Sequence, residues 1–128
     1  MALLAPLSWG ELIDKIAILE IKAARIADPA KRANVARELR ALGAVRDRAL
    51  PKPPRELAPL ARELKAVNEK LWDAEDAIRA CERRGDFSAR FVALARSVYT
   101  ENDRRAALKR RISELLGSPL IEEKSYGG

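Results

Sequence analysis

From Leu57 to Cys81 apolar residues return at steps of three and four without a break: Leu57, Leu60, Leu64, Val67, Leu71, Ala74, Ile78 and Cys81. That is the period of one face of an α-helix, sustained for about seven turns. A stripe so long cannot stay in water, so it demands a partner helix of matching length. Pro59 fits because the first turn of a helix needs no N–H there, and Gly85 stops the pattern. The partner follows at once. Asp86 can cap a helix whose stripe is Phe87, Phe91, Leu94, Val98, Glu101, Arg105, Leu108, Ile112 and Leu115, ending at Gly117 and Pro119.

Two shorter helices precede this pair. Ser8 and Glu11 form a capping box before the stripe Trp9, Leu12, Ile16, Leu19, Ala23 and Ile26, which Ile13, Ala17 and Ala24 widen. Asp28-Pro29 ends that helix and starts the next, with Asp28 as cap and Pro29 in its first position. The second helix has a thin stripe (Val35, Leu39, Leu42, Val45) weakened by Gly43, and we expect it to be the least stable of the four. Pro51, Pro53 and Pro54 make a stiff connector to the third helix. Helices are therefore expected at about 9–27, 29–48, 57–84 and 87–116. The expected fold is one all-α domain, an antiparallel four-helix bundle or paired helical hairpins, with a tail over 118–128 ordered or docked through its apolar start, Leu120-Ile121.

Composition removes whole classes of chemistry. The chain has no histidine and one cysteine, so zinc sites, Ser-His-Asp triads, Cys-His dyads and Glu-x-x-His di-iron bundles are excluded, and no metal or cofactor is expected. The lone Cys81 forbids an intrachain disulfide and suits a reducing cytoplasm. The start, Met1-Ala2-Leu3-Leu4-Ala5-Pro6, lacks the basic region of a secretion signal, and no run is long enough to span a membrane. The net charge of +6 is concentrated between Pro29 and Arg55, where eight basic residues face only Glu38 and Asp47. No aromatic residue interleaves them, so nucleic-acid binding ranks last among the functions considered, and any affinity should be weak and salt-dependent.

Functional clues come from polar residues where the helical period calls for apolar ones. Glu20 falls within the apolar arc of the first helix, opposite the polar face of Glu11, Asp14, Lys15, Lys22 and Arg25. Glu101 and Arg105 take consecutive stripe positions in the fourth helix and can pair along it, with Tyr99 and Asn102 beside them. In the third helix Asn68 and Glu75 flank the stripe, with Trp72 and Arg79 farther round. Antiparallel packing would bring Glu20, Asn68, Glu75, Arg79, Tyr99, Glu101, Asn102 and Arg105 to one level as a polar belt: a pocket, a register-fixing network or a subunit interface. Glu69, Asp73 and Asp76 share an outer face of the third helix, read as a solvated acidic face ahead of a magnesium site. Ile18 and Ile21 sit on the otherwise polar side of the first helix; with Trp9 and Trp72 they are candidate interface residues.

Specific strings add a resemblance. Gly10-Glu11-Leu12-Ile13-Asp14-Lys15-Ile16, Leu71-Trp72-Asp73 with Glu75-Asp76, Leu94-Ala95-Arg96-Ser97-Val98-Tyr99 with Asn102-Asp103, and Glu122-Glu123-Lys124-Ser125-Tyr126 together resemble a family of small bacterial proteins classed as a domain of unknown function. The resemblance covers nearly the whole chain. It implies a single helical domain and bacterial origin, in proteins found beside glycosyltransferase and surface-polysaccharide genes, and it supplies no reaction. The opening Ile13-Asp14 is also similar to the first helix of helical chorismate mutases, which would recruit Lys22, Arg25, Arg79 and Arg105 around a dianion; order and spacing here depart from that pattern. The first functional expectation is thus a non-catalytic helical module that self-associates or binds a protein partner. The second is a small-anion site or enzyme built on the polar belt, with Arg79 and Arg105 as clamps and Glu20 or Glu101 as acid or base.

Overall fold

The computed structural model describes residues 1–124. Those residues form four helices, α1 (Trp9–Arg25), α2 (Pro29–Ala49), α3 (Leu57–Arg84) and α4 (Ala89–Leu115), with no strand among them. The caps follow the local chemistry. Ser8 Oγ accepts from Glu11 N–H at 3.1 Å and Asp28 accepts from Lys31 N–H at 3.2 Å. The Glu11 carboxylate does not fold back to complete a capping box; it bonds Lys109 of α4 at 2.8 Å. Gly85 and Gly117 both take φ +66°, the left-handed turn that lets the next N–H bond the carbonyl five residues back: Asp86 to Cys81, Ser118 to Ser113.

One start differs from expectation. α4 begins at Ala89, two residues late, because the Asp86 carboxylate accepts from Ser88 N–H at 3.1 Å and spends a turn before the helix. Phe87 is therefore outside the stripe and 58% exposed, touching Phe91 edge-to-face at 5.2 Å.

The helices form two hairpins. α3 packs along α4, α2 packs against α1 alone, and α1 also meets both α3 and α4. This explains why α1 has the widest apolar face: it is the one helix that packs against all three others. The thin stripe of α2 has only that one surface to cover, and Val35 is its one fully buried residue. The core gathers Ile13 with Leu57, Leu60, Leu64, Val67 and Leu71 of α3 and Leu108 and Ile112 of α4, while Trp9, Leu50 and Val98 pack at its margin. At Gly10 the α1 backbone touches α4: a Cβ there would lie 2.1 Å from the Lys109 carbonyl oxygen. The bare Gly10 N–H donates to Ser113 Oγ at 2.9 Å, and the Trp9 N–H donates to Ser118 Oγ at 3.3 Å. Among the described residues no helix is long and apolar enough to cross a membrane.

The tail docks, but by charge. Leu120 and Ile121 remain 45% and 37% exposed, whereas Glu122 bonds Lys109 at 2.7 Å and Glu123 bonds Arg110 at 2.9 Å. Ser125, Tyr126 and the last two glycines lie outside the described residues.

Candidate functional site

The buried carboxylate of α1 is Asp14, not Glu20. Asp14 is wholly enclosed between α3 and α4, where Arg105 Nε donates to Oδ1 at 2.9 Å and Arg105 Nη2 to Oδ2 at 2.5 Å. The buried amide of Asn68 donates to Oδ1 at 2.9 Å. The two-pronged bond from a guanidinium is the strong, orientation-fixing form of an ion pair. That hydrogen bond raises Arg105 above its ordinary value, against the opposing effect of burial. Sequence reasoning put Asp14 on the polar face because its neighbours there, Lys15 and Arg25, are exposed. The available signal was Arg105 itself, a stripe cation that needs a carboxylate somewhere opposite.

Other members of the expected belt scatter. Glu20 is exposed and pairs with Lys65 at 3.8 Å. Glu101 is half-buried but pairs with Arg104 at 3.4 Å, so the expected Glu101–Arg105 pair does not form; Asp14 takes Arg105 instead. Arg79 is exposed and forms no ion pair among the described residues, and Tyr99 is 61% exposed. The arginines likened to a dianion cage face different partners, since Arg25 bonds Asp73 at 2.5 Å and lies over the Trp72 ring at 5.8 Å. With Glu69 also 3.9 Å from Arg25, the acidic face of α3 is an ion-pair face, and among the described residues no group of three side chains is placed to hold a metal.

What the structure does bring together is a notch of about 170 Å³ where α1 leaves the α3–α4 seam, lined by Ile18, Ile21, Asn68, Trp72, Glu75, Asn102 and Arg105. Ile21, expected at an outer interface, is buried at 3%; Ile18 and Trp9 are half-buried against neighbouring helices. The notch holds Arg105 with Asp14 behind it and Glu75 at its edge, one positive charge against two negative, so it does not favour an anion.

The uncovered surface lies farther out. α3 is about 42 Å long and α1 about 26 Å. The ion pairs and hydrogen bonds that tie α1 to α3 reach no farther than Asp73. Beyond that level the α3–α4 hairpin stands without a third helix. From Trp72 to Ala107 the one fully buried residue is Cys81. The stripe residues Ile78, Phe91, Leu94 and Val98 are half-buried, and Phe87, Val92 and Tyr99 are exposed at 58%, 42% and 61%. The nine charged residues between Glu75 and Arg96 form no ion pair within the described chain, although five are basic and four acidic.

The chain was compared with known protein families, with curated proteins and with solved structures, and it matches none of them.

Proposed function

We propose that this chain is a non-catalytic association module that pairs with a second copy of itself through the outer half of the α3–α4 hairpin. The observation that carries this reading is the exposed surface of Phe87, Val92 and Tyr99, with half-buried Phe91 beside it, on a two-helix projection. Two helices alone bury one narrow seam, while two such hairpins packed together make a four-helix bundle with an interior. Aromatic and arginine side chains at a projecting patch are the types that dominate interface energies. The choice of a second copy rests on charge: five guanidinium groups and four carboxylates on the outer hairpin form no ion pair among the described residues, so two copies meet near neutrality with complementary groups available. The buried cluster of Asp14, Asn68 and Arg105, which keeps only two members of the expected polar belt, supplies register and not a reaction.

A bacterial cytoplasm is part of the same proposal, supported by the free, buried thiol of Cys81 and by the family resemblance of the strings above. That resemblance also supports a working place near surface-polysaccharide assembly.

Sedimentation equilibrium over a wide concentration range tests the pairing. The wild type should form a dimer. Val92→Glu combined with Phe87→Ser should be monomeric with unchanged helical circular dichroism, because both residues are exposed. A wild type that stays monomeric at about millimolar concentration, or a charged variant that dimerises as well as the wild type, overturns the proposal.

A further inference from the structure

On a different face of α1 from the notch lies a larger space, a groove of about 610 Å³ between α1, the end of α2, the proline connector and the start of α3. Its volume falls within the range of small-molecule sites. Ile13, Ile16 and Ala17 of α1, Leu50, and Leu57 and Ala61 of α3 supply apolar walls. The groove persists for a physical reason. α2 packs on α1 alone and does not close on α3. Pro51, Pro53 and Pro54 line the connector, and their fixed backbone angles hold the two helices apart.

Four charged residues stand at the rim: Glu20, Arg46, Asp47 and Arg55. Three are already matched, Glu20 to Lys65 at 3.8 Å and Arg46 to Asp47 at 2.9 Å. Arg55 forms no ion pair or hydrogen bond among the described residues. An apolar trough with one unmatched guanidinium at its mouth is complementary to an aliphatic chain that ends in an anion.

We propose that this groove binds a free alkyl carboxylate, its chain lying between α1 and the α3 start and its carboxylate on Arg55. The binding is independent of the hairpin association and leaves that surface open.

Isothermal titration calorimetry of the full chain tests it, with decanoate below its micellar concentration and decyltrimethylammonium as the opposite-charge control. Decanoate should bind saturably at one site per chain. Arg55→Glu should weaken it by about tenfold or more, the loss expected when a charge-assisted contact becomes a like-charge one. Ala58→Trp places bulk in the groove from an exposed position and should abolish binding without disturbing the fold. No saturable heat with decanoate, equal affinity for the two surfactants, or indifference to both substitutions overturns the proposal.

Discussion

Removing Asp14 should cost the protein a large share of its stability, by an amount that the surroundings of the two charges let us order in advance. Asp14 accepts three hydrogen bonds, two of them from Arg105, and its side chain is 1% exposed; Arg105 is 28% exposed. Asp14→Ala leaves a guanidinium that can still reach water on one side, so the cost should sit near the low end for a broken buried pair, about 3 kcal/mol. Arg105→Ala leaves a fully enclosed carboxylate with Asn68 as its one donor, and should cost about 5 kcal/mol. For a chain with a total stability of about 5–15 kcal/mol, either loss is large. Replacing both charges together, as Asp14→Leu with Arg105→Met, removes the desolvation cost along with the attraction and should return to within about 1 kcal/mol of the wild type. Urea unfolding followed by circular dichroism compares the wild type, the two alanine variants and the double replacement. If the two single losses add in the double variant, or if Asp14→Ala costs more than Arg105→Ala, the two groups are not the coupled buried pair described here.

Two glycine substitutions should move stability in opposite directions. Gly10→Ala drives a Cβ to 2.1 Å from the Lys109 carbonyl, forcing α1 from α4 at a cost of about 3 kcal/mol despite alanine's better helix propensity; Gly43→Ala meets nothing nearer than 3.8 Å and should stabilise by about 0.5–1 kcal/mol. Thermal melts of the two variants compare them directly. The tail should release in acid. The hydrogen bond from Lys109 holds the Glu122 carboxyl below its ordinary range, so its contribution is present above that range and is lost as pH falls through the lowered value. Burial opposes the charge on Lys109, but its bonds to Glu11 and Glu122 outweigh that and raise it, so the lysine stays charged throughout this window. Amide NMR signals of residues 118–124 should broaden or shift as pH falls below the ordinary glutamate range, and in Glu122→Gln they should do so already at neutral pH.

The helices were legible because each is written in local rules: the stripe from Leu57 to Cys81, the Asp28-Pro29 boundary, the glycines at 85 and 117. The site was legible only in part, for a geometrical reason. A helical wheel sorts residues by face but does not say how many neighbours a helix has. Ile18, Ile21 and Asp14 all look exposed on a helix taken to bury one side, and α1 packs against three helices. Arg105 was correctly marked as a charge in an apolar stripe, but its partner was sought four residues back at Glu101 when it lay on another helix. Gly10 carried a signal that was not used, since a glycine in the first turn of an otherwise strong helix costs about 1 kcal/mol unless something must come close.

These features are connected through the position of α1. The Asp14–Arg105 bonds and the Gly10 contact fix α1 at the inner end of α4, and Arg25 ties its far end to Asp73. A helix held there covers α3 no farther than that level, and the outer hairpin is left bare as a consequence. A buried ion pair that adds little net stability therefore has a use as a register device, because the apolar pair that could replace it would let α1 slide by a turn, about 5 Å. Movement in that direction would draw Ile18 and Ile21 toward Val98 and Phe91 and cover the surface assigned to association. On this argument the Asp14→Leu/Arg105→Met variant should keep its stability and lose dimerisation, a separation that a purely stabilising role for the pair would not produce.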